Sequence, residues 1–240
     1  SVYAQVLGNI CQGNTSYGIY VAAASVHCTV TGNTCQGNTG YGIYMSTSST
    51  HGAVTGNTCQ GNSNGIYVDS NSNYCTVTGN TCQGNTGYGI HLFGSNHCTI
   101  TGNIFNNNVR HGIYLNTSDN CVVAGNICDD NDSENTGNYD GINLQTCDRI
   151  LVVGNQCQNH QGWGIQVDNN SNWCKISNNY TNGNVAGSIN VNGATCDNNQ
   201  VEWNTVEEGD ITNTGTQTRA CGNYDPSADT YFAVIGVVPF

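Results

Sequence analysis

The sequence of 240 residues contains few charged side chains, and very few of them are basic. Charged residues make up 8% of the chain, against about 25% in an ordinary globular protein. Lys and Arg number four and Asp and Glu sixteen, which leaves a formal charge of −12 at pH 7. Nucleic acids and anionic membranes both attract basic surfaces. We therefore expect no nucleic-acid partner.

The chain also lacks long hydrophobic runs and helical periodicity. No apolar run reaches the roughly 18 residues of a membrane-spanning helix, so we expect no membrane insertion. Apolar residues at the three-to-four spacing of an amphipathic helix do not recur over a useful length. Low hydrophobicity is also typical of disordered chains, but those lack the thirteen Tyr and fourteen Cys found here.

A repeated phrase organises the whole sequence. The nine residues Val-Thr-Gly-Asn-Thr-Cys-Gln-Gly-Asn at Val30–Asn38 return at Val54–Asn62 and Val77–Asn85. A second phrase, Gly-Ile-Tyr, recurs with the same period and begins at Gly18, Gly42, Gly65 and Gly112. Nine repeats follow one another at intervals of 23 to 25 residues, with a single longer interval of 29 in the sixth. Fixed periods of this length are typical of solenoid proteins.

Each repeat is built from short alternating segments between Gly, Asn and Ser turns. In Ile19-Tyr20-Val21 the two-residue period directs Ile19 and Val21 to one face and Tyr20 to the other. A unit of about three such strands is too small to bury its own apolar face, so it must stack on copies of itself. The sequence therefore predicts an all-β parallel solenoid, roughly 43 Å long at about 4.8 Å per rung.

The recurring Gly-Asn turn and Gly-Ile-aromatic strand resemble those of the right-handed parallel β-helices of the pectin-lyase-like superfamily, especially the NosD-type Asn- and Gly-rich repeat proteins. The resemblance covers Gly8 to about Gly215. It implies a single-stranded right-handed parallel β-helix of about nine rungs of 22–25 residues over 1–215, with a C-terminal tail at 216–240. Lyases, epimerases, hydrolases, phage spikes and structural proteins all use this fold, so the resemblance leaves the function open.

Two kinds of internal column are predicted to be structural. Asn tolerates tight left-handed turns, and stacked amides can bond to one another, which predicts an asparagine ladder at Asn9, Asn33, Asn57, Asn80, Asn103, Asn126, Asn155, Asn179 and Asn204. Cys fills inward positions that accept Phe or Ile in other repeats, as at Cys35, Cys59 and Cys82. Buried Cys behaves as a small hydrophobe, and parallel neighbours are poorly placed for disulfides, so we expect stacked free thiols.

Aromatic side chains occupy outward positions and form a candidate carbohydrate surface. The proposed sugar-binding residues are Tyr20, Tyr44, Tyr67, His91, Tyr114 and Trp163. A second outward position holds Tyr17, Tyr41, Tyr88, His111 and Trp163. Sugar rings present apolar faces that suit aromatic surfaces. Tyr is equally an ordinary strand former that stacks on itself between rungs, so both interpretations stay open.

The longer sixth repeat contains an acidic loop near residues 129–140. Clustered carboxylates suit Ca²⁺, and the candidate ligands are Asp129, Asp130, Asp132, Glu134 and Asp140. A solvated turn is the alternative, and no cofactor is required by the sequence.

A group of chemically versatile residues lies on the neighbouring rungs: His91, Arg110, His111, Tyr114 and Asp140. A base that removes a proton and a cation that neutralises a uronate would suit a lyase or epimerase of acidic sugars. The Tyr-Gly-Phe-Asp-Pro-His motif of similar epimerases is replaced by Tyr88-Gly89-Ile90-His91-Leu92-Phe93, and the chain is strongly acidic. If the protein is an enzyme, we expect a polysaccharide-active one, but the sequence favours a non-enzyme.

Two further surface patterns are weaker. Outward threonines are typical of ice-binding solenoids, but these are also common strand formers; they are Thr29, Thr31, Thr55, Thr76, Thr78, Thr99 and Thr101. His27 and His51 lie one rung apart, where exposed turn histidines or a transition-metal pair are both possible interpretations.

The ends complete the functional prediction. The first rung begins almost at once, and the apolar segment Tyr231–Phe240 could fold back over the last rung or pair with a neighbouring copy. The leading hypothesis is therefore a secreted, extracellular or cell-surface protein that associates with itself into a fibre, sheath or spike. The alternatives are a carbohydrate-binding or polysaccharide-active module with a glycan partner, and an ice-binding solenoid.

Overall fold

The fold was obtained as a computed structural model, and the structure describes residues 2–207, 211–226 and 230–232. Within these residues all regular elements are β-strands, thirty in number and mostly three residues long. The part of the chain that is described contains no helix long and apolar enough to span a membrane. The strands form three sheets that run along the molecule, and each of the first nine rungs contributes one strand to each sheet.

The first sheet contains ten strands in parallel. In chain order they are β1 (Gln5–Leu7), β4 (Thr29–Thr31), β7 (Ala53–Thr55), β10 (Thr76–Thr78), β13 (Thr99–Thr101), β16 (Val122–Ala124), β19 (Leu151–Val153), β22 (Lys175–Ser177), β25 (Gln200–Glu202) and β28 (Arg219–Cys221). Equivalent residues of the repeats are paired, for example Val30 with Val54.

The second sheet contains eleven strands. They are β2 (Ile10–Gln12), β5 (Thr34–Gln36), β8 (Thr58–Gln60), β11 (Thr81–Gln83), β14 (Ile104–Asn106), β17 (Ile127–Asp129), β20 (Gln156–Gln158), β23 (Tyr180–Asn182), β26 (Thr205–Val206), β29 (Asn223–Asp225) and β30 (Thr230–Phe232). All neighbours are parallel except the last pair, in which β30 runs antiparallel to β29.

The third sheet contains nine parallel strands and carries most of the outward aromatic rings. They are β3 (Ile19–Val21), β6 (Ile43–Met45), β9 (Ile66–Val68), β12 (Ile90–Phe93), β15 (Ile113–Asn116), β18 (Ile142–Gln145), β21 (Trp163–Asp168), β24 (Gly187–Asn192) and β27 (Ile211–Asn213). The parallel β-solenoid predicted from the repeats is confirmed.

Burial alternates along each strand as the two-residue period requires. In β6, Ile43 and Met45 are fully buried, and Tyr44 between them is half-buried. The core is a narrow column of Ile, Val, Leu and Cys side chains that runs along the axis, with Phe105 as its largest member. No single rung encloses a core, so rung-to-rung stacking supplies the burial that orders the chain.

The asparagine ladder is confirmed, and its hydrogen bonds repeat from rung to rung. The side-chain oxygen of Asn80 accepts a hydrogen bond from the backbone N–H of Asn57 and another from its side-chain amide, each at 2.9 Å. The Asn80 amide donates in turn to Val54 O at 2.9 Å and to Asn103 Oδ1 at 3.0 Å. Each Asn thus satisfies buried backbone groups at the turn and links its own rung to the rungs on both sides.

A second polar ladder lies at the next turn and was missed by the sequence analysis. It contains Asn14, Asn38, Asn62, Asn85, Asn108, Asn131, His160 and Asn184. The final Asn of each Cys-Gln-Gly-Asn phrase was the available signal. His160 takes an Asn position, and its Nδ1 accepts the backbone N–H of Asn131 at 3.1 Å.

The fourteen cysteines are free, and twelve of them are buried. In the second sheet Cys35 pairs with Cys11 and Cys59, as the predicted column requires. The hydrogen bond with the Cys59 thiol, together with burial, raises the pKa of Cys35. These thiols are core side chains.

The parallel ladder continues beyond the predicted boundary at residue 215. Strand β28 pairs with β25, and β29 pairs with β26, because the repeat still places strand residues in register after a shortened turn. The antiparallel strand β30 then covers part of the edge of the second sheet. The rest of the predicted apolar tail, residues 233–240, lies outside the described residues. The division into helix and tail stays a prediction.

Candidate functional site

The outward middle residues of five strands in the third sheet form a stack of aromatic rings, here called the strand ladder: Tyr20, Tyr44, Tyr67, His91 and Tyr114. Strand register sets them opposite one another. Successive ring centroids are 5.4, 5.4, 4.8 and 4.8 Å apart. The structure therefore brings together five of the six predicted sugar-contacting residues.

A second stack, here called the turn ladder, runs beside the first and contains Tyr17, Tyr41, Tyr88 and His111. Tyr17 and Tyr41 are 5.4 Å apart, and Tyr88 and His111 are 5.7 Å apart. Rings of the two ladders also contact each other, as in the 4.8 Å pair of Tyr41 and Tyr67. The two ladders make one continuous aromatic surface over five rungs.

Trp163, the sixth predicted sugar-contacting residue, is not part of this surface. It begins β21, and its backbone N–H donates to Asp140 Oδ1 at 2.7 Å. Its ring packs over Gly187, where an added Cβ would lie 2.3 Å from the indole. Asp140 occupies the equivalent position on the rung between those of His111 and Trp163. It therefore separates the indole from the turn ladder.

Asp69 organises the tyrosine hydroxyls in the middle of the strand ladder, and the sequence analysis missed it. Its carboxylate accepts hydrogen bonds from Tyr44 at 2.6 Å, from Thr47 at 3.0 Å and from Tyr67 at 3.4 Å. Burial raises the pKa of Asp69, but these bonds and that of Ser70 N–H outweigh it, so the pKa lies below its ordinary value. Burial and the bond to Asp69 raise the pKa of Tyr44 to about 12.

Beside the ladders lies an open cavity of about 510 Å³. Its lining includes Tyr41, Asn64, Tyr67, Tyr88, His91 and Arg110. The Arg110 guanidinium donates to the Tyr88 hydroxyl at 3.3 Å, and its central carbon lies 5.4 Å from the Tyr88 ring centroid. Arg110 also lies over the Tyr139 ring at 5.8 Å.

His91 contributes a polar atom without a hydrogen-bond partner to this region. Its Nε2 is buried and unpartnered among the described residues. Burial lowers the pKa of His91 to about 4, so the imidazole is neutral at pH 7. A neutral imidazole nitrogen can donate or accept one hydrogen bond, depending on its tautomer.

His111, at the end of the turn ladder, and Asp140 form a buried pair in which the imidazole is neutral. Burial raises the pKa of Asp140 to about 7 and lowers the pKa of His111 to about 3. The Asp140 backbone N–H donates to His111 Nδ1 at 2.7 Å, and its carboxylate accepts from Asn143 at 2.8 Å. Of the predicted catalytic residues, His91 and Arg110 line the cavity, and Tyr114 lies one rung beyond His91. Asp140 is 2% exposed, and its carboxylate is occupied by bonds from Asn143 and the Trp163 N–H.

The acidic loop does not assemble the predicted calcium ligands into a cluster. The Asp132 carboxylate accepts bonds from Thr136 N at 3.1 Å, Thr136 Oγ1 at 2.8 Å and Gly137 N at 2.7 Å, so it closes the loop on itself. Asp129 accepts from the Asn159 amide at 2.8 Å. Asp130 and Glu134 are exposed, and Asp140 is buried. Among the described residues, no group of three or more His, Cys, Asp or Glu is placed to hold a metal ion.

A separate aromatic stack follows another turn column, away from the ladders. It contains Tyr3, His27, His51, Tyr74 and His97, with ring centroids 4.8 to 5.1 Å apart. His27 and His51 are exposed neighbours, as predicted. The predicted threonine rank lies on the outer face of the first sheet, from β4 to β13.

The fold and its stacked columns define a right-handed parallel β-helix of the pectin-lyase-like kind. Within that class the chain belongs to the family described as periplasmic copper-binding protein (NosD), whose family model matches residues 1–108 and 46–225. The predicted resemblance is therefore confirmed. No curated protein matches the chain.

Several solved structures share the fold at low sequence identity. The A-module of the mannuronan C-5 epimerase AlgE4 of Azotobacter vinelandii is 18% identical, with a TM-score of 0.72 over 80% of this chain and 56% of that one. The periplasmic alginate epimerase AlgG is 18% identical, with a TM-score of 0.69 over 76% of this chain and 46% of that one. The enzymatically active domain of tailspike protein 2 of bacteriophage CBA120 is 14% identical, with a TM-score of 0.64 over 88% and 32%. The chain thus spans about half or less of these structures, and the likeness establishes the fold alone.

The family is described as copper-binding, so the possible metal-binding atoms of this chain can be compared with the ligands that copper prefers. Copper sites in proteins use imidazole, thiolate and thioether ligands in groups. Here twelve thiols are buried in the core, the one Met is buried, and the exposed imidazoles of His27 and His51 form only a pair. With no larger donor group among the described residues, these side chains do not fit a three-ligand copper site.

Proposed function

We propose that the protein recognises a polysaccharide on the outer face of its third sheet, outside the cytoplasm. The observation that carries this proposal is the continuous surface formed by the strand ladder and the turn ladder over five rungs. Aromatic surfaces with a few placed polar groups suit sugars, which combine apolar ring faces with hydroxyl groups.

The geometry of the ladders supports an extended ligand that runs along the axis. Stacked neighbours cover much of each ring face, so the rims and hydroxyl groups are left toward solvent. Tyr44 and Tyr67 hold their hydroxyls on Asp69, and Arg110 adds the donors of a guanidinium. A polymer laid across successive rungs would meet a similar contact about every 4.8 Å.

The comparisons favour this function over the self-associating fibre that was the leading hypothesis from the sequence. Two of the structural neighbours are named as epimerases of mannuronan or alginate, and a third as an enzymatically active phage tailspike domain. The family and AlgG are both described as periplasmic, which supports a location beyond the cytoplasm. Self-association and ice binding stay predictions.

The test is a binding measurement against a panel of soluble neutral and acidic polysaccharides, by affinity electrophoresis and calorimetry. The double variant Tyr44→Ala and Tyr67→Ala removes the centre of the strand ladder. We expect affinity for the best polysaccharide to fall by about tenfold or more, since central aromatic residues contribute most to such interfaces.

Tyr74→Ala is the matched control. Tyr74 is 52% exposed and belongs to the separate stack with His51 and His97, so its removal should leave binding unchanged. The proposal fails if no polysaccharide binds the wild-type protein, or if the control loses as much affinity as the ladder variant.

A further inference from the structure

The turn ladder is interrupted at one rung, and the interruption can be traced to the sequence. The second and fourth repeats read Asn-Thr-Gly-Tyr-Gly at Asn38–Gly42 and Asn85–Gly89. The third repeat reads Asn-Ser-Asn-Gly at Asn62–Gly65, which is one residue shorter and has no aromatic side chain. The ring that would continue the turn ladder between Tyr41 and Tyr88 is therefore absent.

Asn64 takes the backbone position of the missing ring without filling its space. Its side-chain oxygen accepts the backbone N–H of Tyr88 at 3.0 Å, and the residue is 7% exposed. Contacts within the turn ladder end with the pair of Tyr17 and Tyr41 and resume with Tyr88 and His111. The cavity of about 510 Å³ lies at this interruption.

The dimensions of the gap suit one six-membered ring. Two rungs of about 4.8 Å place the Tyr41 and Tyr88 positions roughly 9.6 Å apart along the axis. A ring held between two walls at van der Waals distance needs about 3.5 to 4.0 Å on each side, or about 7 to 8 Å in all. One ring therefore fits with a little space for tilt, and two stacked rings do not.

The chemistry of the remaining lining selects a ring that carries hydroxyl groups. Tyr67 and His91 of the strand ladder close one side of the gap, and Ser63, Asn64 and Thr86 add polar side chains to its lining. The Arg110 guanidinium lies at the rim. Among the described residues, only one of its donors is occupied, by the Tyr88 hydroxyl. A sugar hydroxyl can accept a hydrogen bond from the remaining Arg110 donors, which an apolar aromatic ligand cannot do.

We propose that this gap is a subsite for a single pyranose ring, held between the rings of Tyr41 and Tyr88 with its hydroxyl groups directed at Arg110. The subsite rests on the proposed function, since it would bind one unit of the polymer that follows the ladders. It adds the place at which this protein distinguishes one sugar unit from the others.

The test uses the methyl glycosides of glucose, mannose, galactose and glucuronic acid as probes, with saturation-transfer NMR and titration on the full chain. We expect at least one glycoside to bind the wild-type protein. Ser63→Trp fills the gap from its lining and should abolish this binding. Tyr88→Ala removes one wall without adding bulk and should weaken it by about tenfold.

Tyr74→Ala lies outside the gap and serves as the folding and binding control. The subsite is overturned if no glycoside binds, or if Ser63→Trp binds the glycosides as well as the wild type does. Polysaccharide binding that persists in Ser63→Trp with unchanged specificity would also overturn the subsite, while the function of the ladders would stand. If glycosides bind but no polysaccharide does, the subsite stands and the proposed function of the ladders fails.

Discussion

At the scale of single residues, four buried titratable groups couple this fold to pH. Burial lowers the pKa of His111 to about 3, and those of His91 and His160 to about 4. A histidine in the unfolded chain titrates near pH 6.5. Each of these residues therefore stabilises the fold fully above about pH 6.5, and the contribution is lost as the pH falls through the folded pKa.

Asp140 acts in the opposite direction. Burial raises its pKa from 3.8 to about 7, so its contribution is complete below the unfolded pKa and is lost as the pH rises through the folded value. Three histidines outweigh one aspartate. We therefore expect the free energy of unfolding to decrease between about pH 6.5 and pH 4.

His160→Asn tests this coupling at one position. Asn is the ordinary residue of the second ladder, so its side-chain oxygen can accept the Asn131 N–H that His160 Nδ1 accepts now. We expect the variant to lose less stability on acidification, by at most about 3 kcal/mol, because one buried imidazole no longer has to be protonated. Urea titrations at pH 7 and pH 4 measure the difference.

The exposed His97→Asn is the control for this experiment, and its pH dependence should match that of the wild type. An identical loss of stability in His160→Asn and wild type would show that burial of His160 is not a source of acid sensitivity.

At the scale of the elements, the asparagine ladder determines how strongly one rung is held to the next. Asn80 is 1% exposed and joins three rungs through Asn57, Val54 and Asn103. The same turn needs a left-handed residue, and Gly79 supplies it with a φ of 64°. The turn is therefore specified twice, by a backbone conformation and by a side-chain amide.

Asn80→Ala should be strongly destabilising. It leaves the Asn57 N–H buried without its acceptor, which costs about 1 to 3 kcal/mol, and it also removes the side-chain bonds to the Val54 carbonyl and to Asn103. We expect a loss of about 3 kcal/mol or more in chemical denaturation. Asn9→Ala is the matched control at the exposed end of the ladder, with an expected loss below about 1 kcal/mol. Equal losses at the two positions would contradict a stabilising role for burial of the ladder.

At the scale of the whole molecule, stacking takes the place of a conventional core. The buried column is narrow, and thiols fill much of it. Burial raises the pKa of several of these cysteines, for example Cys147 and Cys174 to about 12. Thiols that are buried and protonated react slowly with alkylating agents.

Reactivity of the fourteen thiols is therefore expected to report the integrity of the solenoid. Under native conditions only Cys11 and Cys221, the two partly exposed cysteines, should react readily with iodoacetamide, and all fourteen should react after unfolding in denaturant. Mass spectrometry of the modified protein counts them. Rapid native modification of Cys35 or Cys59 would show that the rungs open easily.

Much of this architecture could be predicted from the sequence. The period placed Ile43 inward and Tyr44 outward, and it aligned Asn33 with Asn57, because a solenoid repeats each local environment once per rung. Stacking of the strand ladder follows from the same register. In such a fold, equivalent residues of successive repeats lie next to each other, so aligning the repeats predicts these contacts.

The rest was decided by side-chain geometry that a repeat pattern does not contain. Asp132 and Asp140 appeared in the sequence as possible calcium ligands, yet one caps its own loop and the other is buried beside His111. Asp69 became part of the aromatic surface only because Tyr44 and Tyr67 reach it from adjacent rungs.

The sequence by itself determined the solenoid, its register and the outward aromatic columns, because identical short strands can bury their apolar faces only by stacking on one another. The tertiary structure alone decided what space a break in those columns leaves open. A single-residue deletion in the third repeat is a small change in the sequence, but between two tyrosines it leaves a cavity of about 510 Å³. The physical reason is that backbone pairing fixes the register of every rung along the axis. The loss of one side chain changes only the space which that side chain would have filled.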